Sequence, residues 1–134
     1  MSIEIEAYVG RTTDYTGEIS GIDGVAVPEA LDAADLLKLR ITNYRRDLIL
    51  ELESGTPSAE DSVLTISDLG DGSVQKPEYT LRLAEGDMTF PAGLYRVELI
   101  WIDSTETAPA DASKRIDIGT LDVLPSAPAP VVVP

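Results

Sequence analysis

Apolar and polar residues alternate in several short runs of this chain, and this pattern constrains its fold more than any other feature of the sequence. A period of two places successive side chains on opposite faces of a β-strand, so each run predicts a strand that is buried on one face. Segments rich in Gly, Pro, Asp and Ser separate the runs and favour turns. The predicted strands lie near residues 3–8, 37–42, 48–53, 63–67, 79–84, 94–103, 115–118 and 120–124.

The runs amount to about seven to nine short strands, which is typical of an all-β protein folded as an antiparallel β-sandwich. The segment 94–103 becomes apolar on both faces, which predicts a central strand. Its Trp101 is in phase with Tyr95 and is expected in the core. We interpret the last two runs as one bent strand with Gly119 at the bend. Residues 28–37 carry the only helical pattern, for which a helix beginning at Pro28 and a loop with one helical turn are both open.

The composition excludes several classes of function. The chain has 134 residues, which suit one domain, and 43% of them are apolar, enough for a folded core. It contains no His and no Cys, so triads with an imidazole or thiol, zinc sites built from these residues and disulfides are all excluded. The formal net charge is −14, which repels phosphate. We therefore expect neither a nucleic acid nor a membrane as partner.

Two glycine-containing segments have some features of ligand-binding loops but not the required spacing. Residues 68–73 place two carboxylates beside glycines and lack the remaining ligands of a calcium loop, so they predict a turn. The glycines between residues 10 and 24 lack the strand, lysine and helix of a phosphate-binding loop and are also interpreted as turn residues. The sequence therefore predicts a protein that is not an enzyme, with no catalytic, cofactor-binding or metal-binding residues.

Two segments are candidates for an interface with a partner. Arg45 and Arg46 are the only adjacent basic pair, in a short polar connection between two predicted strands, and we expect them to bind carboxylates of this subunit or another. Residues 125–134 contain four prolines, which favour an extended polyproline-like segment. A loose terminus and an arm lying on a neighbouring subunit are both open. The apolar residues that favour an arm are Val131, Val132 and Val133.

The N-terminal residues do not have the pattern of a targeting segment. Glu4 and Glu6 stand where a secretory signal would have a basic start followed by an apolar run. No apolar run approaches the roughly 20 residues that a membrane-spanning helix needs. We expect synthesis as a soluble protein in the cytoplasm of the cell that makes it.

The C-terminal third of the domain carries motifs of a known group of proteins. Residues 91–99 read Pro-Ala-Gly-Leu-Tyr-Arg-Val-Glu-Leu, and residues 118–123 read Ile-Gly-Thr-Leu-Asp-Val. This sequence resembles the Pro-x-Gly-x-Tyr-x-x-Glu-Leu and Gly-x-Leu-x-Val endings of immunoglobulin-like β-sandwich domains in virion proteins of tailed bacteriophages. The resemblance implies an immunoglobulin-like sandwich over residues 1–124, an interaction arm over residues 125–134, and a role in assembly. Tyr95 would pack at a strand edge.

The resemblance implies a structural protein of the virion, and two positions in the particle are open. A small sandwich with an arm and an acidic exterior is similar to a capsid decoration (cement) protein, whose partner would be the major capsid protein. The alternative is an adaptor bound to tail or baseplate proteins. Either would be a homo-oligomer or a set of lattice-bound copies, with multivalency strengthening weak contacts. A carbohydrate-binding module with exposed Tyr8, Tyr15 or Tyr44 is the alternative from another class.

Overall fold

The computed structural model describes residues 3–19, 35–68, 77–102, 104 and 113–125. These residues form eight β-strands and a one-turn 3₁₀ helix at Glu85–Asp87. In the same part of the chain no helix is long and apolar enough to cross a membrane. The strands are β1 (Ile3–Tyr8), β2 (Thr13–Glu18), β3 (Leu36–Thr42), β4 (Leu48–Glu53), β5 (Val63–Asp68), β6 (Glu78–Leu83), β7 (Gly93–Ile102) and β8 (Ser113–Leu124).

The strands are arranged in two sheets. The larger has five strands in the order β1-β8-β7-β3-β4, and the smaller has three in the order β2-β6-β5. All neighbouring strands are antiparallel except β1 and β8, which are parallel. If β2 to β8 are labelled B, C, C′, D, E, F and G, the sheets read G-F-C-C′ and B-E-D, the strand order of immunoglobulin variable-type domains. The chain is an all-β immunoglobulin-like sandwich, as the sequence predicts.

The core is formed by the inward-facing residues of both sheets. Trp101 is 5% exposed and lies in this core, which confirms its predicted position. The Tyr95 hydroxyl donates a hydrogen bond of 2.5 Å to the carbonyl of Pro91, the arrangement known in such domains as a tyrosine corner. Val97 stands two residues later, where antibody domains have their second disulfide cysteine. Here the core is held by apolar packing, since the chain contains no cysteine.

Most predicted strands are confirmed, and two details differ. Residues 13–18 form β2 although they are mostly polar, because Tyr15 and Gly17 face the other sheet while the alternate positions are exposed. The last two predicted runs are one strand, β8, as expected. Its irregularity lies at residue 116, which is skipped when Leu99 and Ile100 pair with Asp117 and Arg115. Gly119 is therefore not the bend.

Several predictions fall outside the described residues. These are most of the helical pattern at 28–37, of which Leu36 and Leu37 belong to β3, and the glycine-containing turn after Asp68. The arm beyond residue 125 also lies outside, together with Val131, Val132 and Val133.

Candidate partner interface

Asn43 organises the connection between β3 and β4. Its side-chain oxygen accepts hydrogen bonds from the backbone N–H groups of Arg45 (2.9 Å) and Asp47 (3.0 Å). Its carbonyl accepts from the N–H of Arg46 at 2.9 Å, and its own N–H donates to the carbonyl of Asp47 at 3.0 Å. Asn is suited to this position because its short amide bonds the backbone two residues on. The Asn43 Nδ2 group also donates to a carboxylate oxygen of Asp47 at 3.2 Å. Five hydrogen bonds to one residue therefore fix the backbone of the turn that carries the two arginines.

Arg46 adopts a left-handed backbone conformation with φ of 67°. A hairpin loop that consists of a turn followed by one left-handed residue normally has Gly at that residue. A side chain there costs about 1–2 kcal/mol because Cβ approaches the following carbonyl. Among the described residues only Asp61 shares this conformation without being glycine.

The two arginines line different depressions on either side of the turn. Arg45 lines the first, which we call the tyrosine depression, a cavity of about 390 Å³ between the turn and the beginning of β7. Tyr44 is 83% exposed there and Leu94 is 62% exposed. The Arg45 guanidinium carbon lies 5.6 Å from the centre of the Tyr44 ring, within the range of a cation–π contact. The apolar rim of this cavity is therefore open to a partner.

Arg46 lines the second depression, which we call the arginine depression, a cavity of about 330 Å³ on the outer face of the five-stranded sheet. Alternation explains its composition: Leu39, Ile41 and Val97 point into the core, so their neighbours along β3 and β7 point outward. Register places Arg96 beside Thr42 at the turn and Glu98 beside Arg40. Arg115 of β8 lines the cavity from farther along the same face, where it pairs with Ile100 of β7. Its lining residues are Arg40, Thr42, Arg46, Arg96, Glu98 and Arg115.

Ion pairs orient some of these guanidinium groups. Arg40 Nε lies 3.1 Å from a Glu51 oxygen, and Arg96 Nε lies 3.5 Å from a Glu98 oxygen. The Arg40 nitrogen is shielded from solvent, and its contact with Glu51 lacks the geometry of a hydrogen bond, so the two groups interact as an ion pair. Partly exposed pairs of this kind contribute about 0–1 kcal/mol to stability. Their main effect is to hold the guanidinium groups at the surface.

Two buried groups of the part of the chain that the structure describes, Tyr79 and Asp117, have shifted pKa values, and neither lines the tyrosine or the arginine depression. Burial raises the pKa of the Tyr79 hydroxyl far above its usual range. Burial also raises the pKa of the Asp117 carboxyl, which the hydrogen bond from the Ile118 N–H partly offsets. Within the described residues there is no group of three or more acidic, His or Cys side chains that could hold a metal ion. Burial in the sandwich is the main cause of both shifts.

Comparison with known proteins supports no assignment to a family. No family model and no curated protein matches the chain. Among solved structures it is similar to a chain in the ZIG-8–RIG-5 IG1–IG1 heterodimer, with 12% identity, a TM-score of 0.44, and coverage of 92% of this chain and 83% of that chain. It is also similar to the NK cell receptor NKp44, with 10% identity, a TM-score of 0.48, and coverage of 94% and 99%. The strand order and the tyrosine corner, rather than these scores, define the fold.

The structure brings the predicted arginine pair together with residues that the sequence did not single out. Arg45 and Arg46 both lie at the tip of the β3–β4 hairpin, as their short polar connection predicts. They do not act as one basic pair, because they line separate cavities. The residues missed were Arg40, Arg96 and Arg115. These residues occupy outward positions of β3, β7 and β8, which alternation alone could indicate, but only the register between strands distant in sequence shows that they lie together.

Proposed function

We propose that this chain is a non-enzymatic assembly protein that binds another protein at the tip of the β3–β4 hairpin. One observation carries the proposal: a cavity lined by four arginines adjoins a cavity with exposed Tyr44 and Leu94, in a chain of net charge −14. Arg and Tyr are enriched in protein interfaces, where they supply most of the binding energy. Exposed apolar residues beside such groups favour a protein partner.

We propose further that the assembly is a bacteriophage particle and that the chain decorates its head. The support is the resemblance of residues 91–99 and 118–123 to virion immunoglobulin-like domains, since a small sandwich of this kind needs only a contact surface to serve as cement. Many copies on a repeating lattice would strengthen a weak single contact. An acidic exterior would keep crowded particles soluble. The partner would be the major capsid protein.

Copy number in purified particles tests this proposal. Quantitative mass spectrometry should find a ratio to the major capsid protein near one, or a simple fraction of it. A few copies per particle would instead support the tail or baseplate adaptor. If the chain is absent from particles, the virion role is wrong.

A binding measurement then tests the hairpin itself. Purified chain is added to particles that lack it, and bound protein is separated by sedimentation. Replacing Tyr44 and Leu94 by Ala should lower occupancy at least tenfold, because both are exposed apolar residues at the rim of the tyrosine depression. Replacing Thr16 by Ala on the outer face of the smaller sheet is the matched control and should leave occupancy unchanged.

Glycan binding is the second candidate, and Tyr44 is the observation that favours it. An aromatic ring that is 83% exposed is a surface on which a sugar ring can stack. Tyr15 does not share this arrangement, since it packs against Tyr79 with ring centroids 6.2 Å apart. Glycan-array binding that disappears in Tyr44→Ala would support this function, and an array without signal would exclude it.

A further inference from the structure

We infer that the arginine depression binds carboxylate groups of a short acidic segment of a partner protein. The inference rests on the proposed role in protein binding and adds the chemistry of the partner. It is carried by the arginines gathered from β3, β7, β8 and the hairpin turn, and by the backbone conformation of Arg46.

The charge of the depression is opposite to that of the chain. Four arginines and one glutamate line it, and Glu51 pairs with one of the four, Arg40, so positive charge is in excess by two, whereas the whole chain carries −14. A planar guanidinium offers paired N–H donors whose spacing matches the two oxygens of a carboxylate. The site can therefore hold more than one carboxylate, and it provides a local attraction that the rest of the surface opposes.

The surroundings of the depression favour a short acidic segment over a nucleic acid. On the same face Glu4 of β1 shares a row with Thr120 of β8 and Arg96 of β7, because these residues pair across the sheet. On the other side Arg40 pairs with Glu51 of β4. A long polyphosphate crossing the face would meet carboxylates at both edges. A loop that places two or three carboxylates at the centre avoids them.

The backbone conformation of Arg46 supports carboxylate binding independently of the charge of the depression. Its φ of 67° would cost less with glycine, yet the chain has an arginine whose side chain lines the depression. Among the described residues Arg46 has no ion-pair partner. Residues in such strained conformations concentrate at binding sites, where their function outweighs the cost. Arg46 is thus placed to meet an incoming carboxylate.

Fluorescence anisotropy with a labelled hexaglutamate peptide tests the inference directly. The peptide should bind the full chain at low ionic strength, and a labelled hexaglutamine peptide should not. Arg46→Gly and Arg96→Gln should each weaken binding about tenfold, the equivalent of about 1.4 kcal/mol. Arg82→Gln is the matched control, since it removes the same charge from the outer face of the smaller sheet, and it should change affinity less than twofold.

Arg46→Gly separates binding from folding. Glycine relieves the left-handed conformation, so this variant should unfold at the same or a higher urea concentration than the parent while binding less peptide. The inference is overturned if hexaglutamate does not bind, if Arg82→Gln weakens binding as much as Arg46→Gly, or if a single-stranded oligonucleotide displaces the peptide at lower concentration than unlabelled hexaglutamate does.

The particle experiments give results that are distinct from these. Peptide binding that depends on Arg46 and Arg96, in a chain that is absent from particles, would leave this inference standing and remove the virion role. Normal loading of Arg46→Gly and Arg96→Gln on particles would show that the assembly contact lies elsewhere, and would overturn the inference.

Discussion

Gly119 of β8 faces the backbone carbonyl of Ile3 in β1 so closely that a Cβ atom at residue 119 would overlap the carbonyl oxygen. The two residues are partners in the β1–β8 pair, the only parallel pair among the strands that the structure describes. The Ile3 carbonyl belongs to a paired strand, so it cannot move away from an added Cβ as the end of a flexible side chain could. Gly119 is therefore what allows the first strand to lie beside the last.

Gly119→Ala should displace β1. We expect the free energy of unfolding to fall by at least about 2 kcal/mol, because the added methyl group must push a paired strand away. Urea unfolding measures the loss, and hydrogen exchange should show faster exchange in β1 than in β3. Thr120→Ala, at the exposed neighbouring position, is the control and should change stability by less than about 0.5 kcal/mol. Equal stability of Gly119→Ala and the parent would contradict the close approach.

Tyr79 is fully buried, and within the described residues its hydroxyl has no hydrogen-bond partner. A Cβ at Gly17 would lie 2.6 Å from that hydroxyl oxygen, so the glycine makes room for it. An unsatisfied buried hydroxyl costs about 1–3 kcal/mol. Tyr79→Phe should therefore raise the free energy of unfolding by about 1 kcal/mol.

Tyr95→Phe is the matched comparison, and its effect should have the opposite sign. The Tyr95 hydroxyl donates to the carbonyl of Pro91, so its removal should lower stability by about 1 kcal/mol. Urea unfolding of both variants checks the pair. If Tyr79→Phe is the less stable of the two, either a buried water or the hydroxyl of the neighbouring Tyr15 satisfies the Tyr79 hydroxyl.

Asp117 should make stability fall as pH rises. Burial raises the pKa of this carboxyl in the folded chain above its ordinary value of 3.8, so the folded state holds a proton that the unfolded state has released. The stabilising contribution is complete below the unfolded pKa and is lost as pH rises through the folded pKa. Asp117→Asn should therefore be more stable than the parent at pH 7, because the amide stays neutral.

The difference between Asp117→Asn and the parent should shrink as pH falls from 7 through the folded pKa of Asp117, and it should be smallest below 3.8, where the parent carboxyl is neutral in both the folded and the unfolded chain. The asparagine oxygen can still accept the 2.9 Å hydrogen bond from the Ile118 N–H, so that contact is preserved. Asp122→Asn, exposed on the same strand, is the control for loss of one negative charge. A constant difference from pH 3 to pH 7 would show that titration of Asp117 does not cause it.

Local alternation predicts much of this fold, because one-sided burial of a strand is recorded in adjacent residues. The sequence of β3 shows it directly: Leu37, Leu39 and Ile41 are all fully buried, as expected. Alternation did not predict strand β2, because its inward positions include Gly17 in place of an apolar side chain. This glycine leaves room for Tyr79 of another strand. The parallel pairing of β1 with β8 was not predicted either, because pairing between strands distant in sequence leaves no pattern in adjacent residues.

The candidate site shows the same division between local and distant information. The pair Arg45–Arg46 could be singled out because it is adjacent in sequence and lies in a polar connection. The two arginines line different cavities, however, because Arg46 has a left-handed backbone conformation and because β7, some fifty residues further along the chain, forms part of both cavities. Arg96 lies within the motif that resembles virion domains, but only strand register shows that it faces Thr42 beside the hairpin. Register is a property of the folded sheet.

Asp35, at the end of the sandwich opposite the hairpin, connects the beginning of β3 to the end of β7 through hydrogen bonds. Its buried carboxylate accepts hydrogen bonds from Trp101 Nε1 (3.1 Å), from the Ser104 N–H (2.8 Å) and from the Ser104 hydroxyl (2.6 Å). Asp35→Ala removes these charged acceptors and leaves the indole N–H of Trp101 without one of its partners in the core. Stability should fall by about 2–4 kcal/mol.

Urea unfolding, monitored by the fluorescence of the single tryptophan, measures the effect of Asp35→Ala, because Trp101 donates a hydrogen bond to Asp35. The emission of folded Asp35→Ala should shift relative to the parent, because the group that bonds the indole is gone, whereas Asp122→Ala at an exposed position should leave both emission and stability unchanged. Asp35→Asn keeps one acceptor oxygen and should fall between the two. If Asp35→Ala unfolds like the parent, the carboxylate does not hold β3 to the end of β7, and packing of Trp101 alone must do so.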